Sequence, residues 1–247
     1  MFIFAIICSW FIDRKKEYTE DSPFYRFILY TCTKIVKIAA RIRIKVRGLG
    51  FVPKDSRYLL VGNHRSNFDP ILSWEVLGKE ADLCFLSKPE NFRKPAFGKI
   101  AQRCCFLAID RDNPRNALRT IDKAANFLKE DKFNIGVYPE GTRNRTDDLL
   151  LPFHTGLFKI AKKAKVPILV VVTKDTEKIV KHFPLKGTDV YYDFCGVIPA
   201  EEVEKLPNVE ISEKVREMMT DALLNPSLDG FETLKDIQKR KNESIKP

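Results

Sequence analysis

Hydrophobic and polar positions change period along this chain, and each change marks an element. Met1 to Ile12 (MFIFAIICSWFI) is apolar almost throughout and is followed by Arg14-Lys15-Lys16. A bilayer-spanning helix needs about 20 apolar residues, so this run is too short to cross. It lacks a basic leader and a small-x-small cleavage site, which argues against a signal peptide. After Pro23 a second apolar stretch runs from Phe24 to Ala40. At 100° per residue, Arg26, Thr33, Lys34, Lys37 and Arg41 fall within roughly one third of a helix circumference. A wide apolar face beside a basic stripe is the pattern of a helix lying in the lipid interface. Residues 1–41 therefore read as a two-helix hairpin that associates with a membrane. The expected contacts are Phe2, Phe4, Trp10, Phe11, Phe24 and Phe27 in lipid, with Arg26, Lys34 and Lys37 at the headgroups. The expected location is one leaflet, on the cytoplasmic face of the cell membrane. The competing reading is a core-packing helix with a frayed start; against it, Met1 to Ile12 has no polar face to give to water.

Beyond Arg41 the period becomes two: Ile42, Ile44 and Val46 alternate with Arg43, Lys45 and Arg47, as in a strand with one solvated face. Further strands are expected at Tyr58–Gly62, Leu83–Leu86, Cys105–Asp110, Asn134–Tyr138, Pro167–Thr173 and Val190–Phe194. Helical patterns lie between them. Ile71–Leu77 follows Asp69-Pro70, Thr155–Ala164 follows Pro152, and Asn116–Lys129 places Leu118, Ile121, Ala125 and Leu128 on one face. Ile211–Leu224 is amphipathic, and the tail from Leu234 is highly charged and expected to fray. Strands alternating with helices predict one α/β domain, residues 42–247, with a largely parallel sheet of about seven strands flanked by helices.

Composition narrows the partners more than the fold. The 247 residues include 43 Lys and Arg against 33 Asp and Glu, a net charge of +10. That excess suits an anionic partner: phosphates, an acidic membrane surface or nucleic acid. No nucleic-acid fold signature appears, and aromatic residues are not interleaved with the basic ones, so nucleic acid is not expected. The six cysteines include the adjacent pair Cys104-Cys105 but no CxxC. Neither a zinc site nor a disulfide framework is expected, and a reducing compartment fits.

Chemistry concentrates in three polar segments, each at the carboxyl end of a predicted strand: Asn63 to Asp69, Asp110-Arg111, and Glu140-Gly141-Thr142-Arg143. Ligands of open α/β sheets bind outside those ends. A histidine serves as general base near neutral pH, and an acid on its other nitrogen fixes the tautomer. Five positions in a turn can join His64 and Asp69. Two plainer readings stand beside this one: Asp69 before Pro70 as a helix N-cap, and His64 as a loop residue bonded to backbone. Gly141 permits close backbone approach to a ligand and Arg143 can grip a phosphate; the plain alternative is a turn with a solvated Arg. Gly136 and Gly141 have P-loop spacing, but Thr142-Arg143 replaces the Lys-Ser/Thr pair and Pro139 removes an amide, which excludes a nucleotide loop. No G-x-S-x-G occurs, so a protein nucleophile is not expected.

These segments resemble the motif blocks of the glycerolipid acyltransferases. Asn63-His64-(four residues)-Asp69 resembles their NHxxxxD signature. Ile109-Asp110-Arg111 is similar to the end of their second block, Tyr138 to Arg143 to their (F/Y)PEGTR block, and Val166-Pro167-Ile168 to the start of their fourth. Order and spacing agree over about Gly48 to Val172. Among the members, the 1-acylglycerol-3-phosphate acyltransferases are the nearest in type. The resemblance implies transfer of an acyl chain from acyl-carrier protein or a coenzyme A thioester to lysophosphatidate, with no metal or other cofactor. It implies His64 as base, Asp69 as its orienting acid, and Arg111, Gly141, Thr142 and Arg143 around the phosphate. Asn63 and Glu140 would be supporting residues. Two positions depart from the family: Cys105 stands where a Gly is usual, and Leu169-Val170-Val171 where a second Pro is usual. Alternative acceptors are glycerol-3-phosphate or another lysophospholipid, and the non-enzyme alternative is a basic lipid-binding module.

Overall fold

The strands buried on both faces carry the most continuous apolar runs, because helices cover both sides of a parallel sheet. In the computed structural model, which describes residues 1–78, 81–110 and 112–244, these are β2 (Leu59–Gly62) and β5 (Asn134–Val137), buried at every position. They lie beside β6 (Ile168–Lys174) and β3 (Leu83–Ser87). The remaining strands are β1 (Ile42–Arg47), β4 (Leu107–Ala108), β7 (Thr188–Ile198) and β8 (Glu232–Thr233). Across the sheet the order is β4-β3-β5-β2-β6-β7-β1-β8. Pairing is parallel except between β6 and β7 and between β1 and β8. Eight strands replace the expected seven. β8 is two residues long and too short to show a period, and the expected strand at Cys105–Asp110 contracts to two residues.

Helices α3 (Asp69–Leu77), α4 (Pro89–Arg93), α5 (Phe97–Arg103), α6 (Pro114–Lys129) and α7 (Lys159–Ala164) connect the strands. α6 starts where Asn113 accepts a hydrogen bond from the Asn116 amide and Pro114 presets the first turn. It buries Ile121, Ala125 and Leu128, while Leu118 stays largely exposed. α8 (Lys178–His182) and α9 (Ala200–Lys205) flank β7, and α10 (Asn208–Leu224) packs on β6 and β7. The charged tail does not fray from Leu234: that residue is buried, and α11 (Leu234–Ser244) packs against β1.

α1 (Phe2–Trp10) and α2 (Pro23–Ala39) form the two expected amino-terminal helices. The Tyr25 hydroxyl donates to the Cys8 carbonyl at 3.0 Å, and the Phe4 and Phe24 rings meet edge to face. Part of the polar stripe of α2, however, faces the protein. Arg26, expected among lipid headgroups, is 6% exposed. Its guanidinium donates to Asp21 (2.7 Å), to the Leu83 and Cys104 carbonyls (both 3.1 Å) and to Cys84 Sγ (3.4 Å). A planar fork of five donors can satisfy that many acceptors at once, which is why the charge is tolerated inside. Thr33 is also buried, and Lys37 turns inward to pair with Glu75 of α3. The exposed face of α2 is instead Phe24, Phe27, Lys34 and Ile38. No helix among the described residues is long and apolar enough to cross a membrane.

Candidate active site

The carboxyl ends of β2, β3, β5 and β6 point the same way and carry the polar segments. The chain leaving β2 is tied sideways to β6 by Asn63. Its amide side chain accepts from the Thr173 N–H at 2.7 Å and donates to the Thr173 carbonyl at 3.0 Å. That side chain extends the strand ladder by one step and sets the direction in which His64 emerges.

His64 Nδ1 lies 2.8 Å from Asp69 Oδ2. The same oxygen accepts the Arg65 and Ser66 amides, each at 2.8 Å, and Asp69 is 1% exposed. Three donors thus converge on one oxygen of a buried carboxylate. Nδ1 must then carry the proton toward it, leaving the Nε2 lone pair as the acceptor of the ring. Both plain readings fall to this geometry. The Asp69 carboxylate does not cap α3; it reaches back to the loop before it and to the histidine. The Tyr138 ring stacks on the imidazole, centroids 4.3 Å apart and 14° from parallel, and stacks in turn on Phe85. Burial, then the nearby Asp69 charge, push the Tyr138 phenol well above its usual value, so it stays protonated and serves as a wall.

Glu140 joins the two loops that make the site. Oε1 accepts the His64 amide at 2.8 Å and Oε2 accepts the Leu151 amide at 2.9 Å. Burial raises its pKa, against the lowering effect of those two bonds. The Asn144 amide donates to the His64 carbonyl at 2.7 Å, so the histidine backbone is held on both sides. Gly141 sits at φ +73°, a left-handed turn that only glycine adopts without strain.

A cavity of about 450 Å³ opens beside this constellation, lined among others by His64, Phe85, Lys88, Asn91, Lys94, Gly141, Thr142 and Arg143. A smaller recess of about 50 Å³ continues from it between Trp74, Phe92, Phe97, Ala101 and Phe106. The structure thus brings His64, Asp69, Asn63, Glu140 and the Gly141–Arg143 turn together. Arg111 lies outside the described residues. Lys88, Asn91 and Lys94 were missed by sequence reasoning, although Lys88 lies two positions past a predicted strand and that place was the available signal. Arg216 of α10 was also missed. It donates to the Leu150 and Leu151 carbonyls at 2.9 and 2.8 Å and lies over the Phe153 ring. Nothing local in the sequence marks it, because its partners are 65 and 66 positions away.

Of the two family departures, Cys105 lines neither cavity. It occupies a turn at φ +62°, where glycine would be unstrained. At the other, Leu169 and Val170 continue the ladder with β2 and β7, which a proline would interrupt.

A buried acid, an oriented histidine and the Gly141–Arg143 turn thus lie around one cavity. The family model for the acyltransferase domain matches residues 43–174, and the chain belongs to the acyltransferase family. It is 28% identical over 197 residues to the 1-acyl-sn-glycerol-3-phosphate acyltransferase of Saccharomyces cerevisiae, covering 76% of this chain and 62% of that protein. It is 30% identical over 197 residues to the alpha form from Mus musculus, covering 77% of this chain and 67% of the relative. The crystal structure of the 1-acyl-sn-glycerophosphate (LPA) acyltransferase from Thermotoga maritima superposes with a TM-score of 0.61, covering 91% of this chain and 89% of that one at 23% identity. That likeness concerns the fold.

Proposed function

We propose that this protein moves a fatty acyl group onto the 2-hydroxyl of a 1-acylglycerol-3-phosphate, giving phosphatidate. The observation that carries the reading is the His64–Asp69 pair on the wall of a cavity whose rim holds Gly141, Thr142 and Arg143. The relatives named for this reaction support the acceptor.

In the proposed mechanism Nε2 of His64 takes the proton of the acceptor hydroxyl. The oxygen attacks the thioester carbonyl, the tetrahedral intermediate expels the thiolate, and the imidazolium returns the proton to it. Asp69 stabilises the imidazolium and keeps the ring from turning. No acyl-enzyme forms. Arg143 and the left-handed turn at Gly141 hold the phosphate; Arg111 joins them on the strength of the motif resemblance. The apolar recess behind Phe97 suits an acyl chain. Lys88 and Lys94, both exposed at the mouth, suit an anionic donor, either acyl-carrier protein or a coenzyme A thioester. The exposed side chains of α1 and α2, with Trp10 71% and Phe11 81% open to solvent, support insertion in one leaflet of an anionic membrane, where the acceptor lies.

The test is acyl transfer to lysophosphatidate by purified protein with both donor types. His64→Ala should lose about 10²–10⁴-fold in kcat with an unchanged circular dichroism spectrum. Near-wild-type transfer by that variant would falsify the mechanism. Arg143→Ala should raise KM for the phosphorylated acceptor and leave a monoacylglycerol unaffected.

A further inference from the structure

A second apolar tip lies at the far end of α2 from α1. In α8 and the segment after it, Val180 is 68%, Phe183 54% and Leu185 87% exposed. These are not frayed residues. Ile179, one position from Val180, is 1% exposed and anchors the segment. Phe183 and Lys186 donate their amides to the carbonyls of Ile179 and His182 at 3.0 and 2.8 Å, and the His182 ring meets the Thr188 hydroxyl at 2.9 Å. The end of α8 and the ordered turn after it therefore hold three apolar side chains out into solvent.

Two observations say what covers them. The first is continuity with the exposed stripe of α2, which ends at Ile38 (64% exposed). The chain then reaches Arg41, whose guanidinium donates to the Leu185 carbonyl at 3.3 Å and whose own carbonyl accepts the Thr188 amide. The second is charge. Lys178, Lys181, Lys186, Arg41 and Arg43 surround the tip, against Asp175, Glu177 and Asp189. Asp175 pairs with Lys178, Asp189 with Arg43 and Lys45, and Glu177 lies 3.9 Å from Arg65. Lys181, Lys186 and Arg41 have no ion-pair partner among the described residues. Apolar side chains ringed by unpaired cations match an anionic bilayer surface.

We infer that Val180, Phe183 and Leu185 form a second membrane contact, separate from the amino-terminal helices, entering the interface of an anionic bilayer. The inference rests on the membrane reading given above and deepens it. α2 spans 17 residues, about 25 Å at 1.5 Å per residue, so the two contacts stand well apart. One contact would let the domain rock on the bilayer; two fix its tilt. The second lies at the end of the sheet where β6 finishes and β7 begins, the end that carries His64. Seating it would hold the cavity mouth against the leaflet that contains the acceptor.

The test uses the full chain and vesicles of phosphatidylcholine with and without phosphatidylglycerol. Substituting Val180, Phe183 and Leu185 together by serine should weaken partition to the anionic vesicles on the order of tenfold or more. The melting temperature and transfer to a short-chain, water-soluble acceptor should be unchanged. In a Trp10→Phe background, the emission of Leu185→Trp should shift to the blue on anionic vesicles and be quenched by brominated lipid. If wild type fails to bind vesicles, the membrane reading itself falls and this inference with it. If wild type binds but the serine variant binds equally and the new tryptophan stays in water, only the second contact is overturned. Protection of the tryptophan by an acidic carrier protein and not by vesicles overturns it in favour of a protein partner.

Discussion

Glu140 is a carboxylate whose two oxygens each accept one backbone amide, His64 on one side and Leu151 on the other. Glutamine keeps one acceptor and turns an NH₂ toward the other amide, where donor meets donor. Glu140→Gln should therefore displace His64 and lower kcat by at least about tenfold, since even small misplacement of a catalytic group is costly; unchanged kcat would refute the bracing role. Its pH behaviour follows from burial. The folded pKa is raised, so folding favours the protonated form, and this contribution to stability is present at acid pH and is lost as pH rises through the folded value. The stability difference between wild type and Glu140→Gln, measured by urea denaturation, should narrow across that range. Cys105 at φ +62° is a second residue with a backbone constraint. A β-branched side chain fits that region worse than cysteine, so Cys105→Val should destabilise by about 2 kcal/mol with little change in KM, as Cys105 lines neither cavity.

At the scale of elements, α2 is held by a buried charge. Arg26 brings together Asp21, the start of β3 and the end of α5. Removing one member of a buried pair costs about 3–5 kcal/mol because the remaining acceptors lose their donor. Arg26→Ala should lower stability by roughly that amount and expose the 11–22 connection to limited proteolysis; a stable, protease-resistant variant would show that packing alone seats the helix. The same inward turn explains why the amphipathic reading of α2 misplaced Arg26 and Lys37 while Phe24, Phe27 and Lys34 stay exposed as expected. Periodicity locates a polar stripe but not what it meets. Here Arg26 meets carbonyls and Lys37 meets Glu75, and the lipid-facing candidates are the neighbouring apolar positions Phe24, Phe27 and Ile38. The loop from Asn144 to Phe153 shows the same limit: Arg216 on α10 holds it from a distance no local pattern reveals.

Across the whole molecule, the six thiols are free, four of them buried. Burial pushes Cys84 up to about 12 and Cys105 up to about 11, so they remain thiols at neutral pH and are poor nucleophiles. Native protein should therefore leave Cys84, Cys104 and Cys105 unlabelled by a thiol reagent, and reductant should not move the melting temperature. Prompt labelling of any of the three would contradict the packing. The sequence by itself determined the α/β class, most strand positions and two of the segments found around the cavity, Asn63 to Asp69 and Glu140 to Arg143. Those depend on local period and on turn residues at strand ends, which a linear chain displays. Tertiary structure alone decided which plain readings fell. Asp69 became a partner of His64 and not a cap because the Arg65 and Ser66 amides turn its carboxylate backward. Glu140 acquired its bracing position because residues 64 and 151 meet there. Arg26 went inside because distant carbonyls converge on it. Each outcome depends on groups brought together by folding, and no pattern along the chain records that.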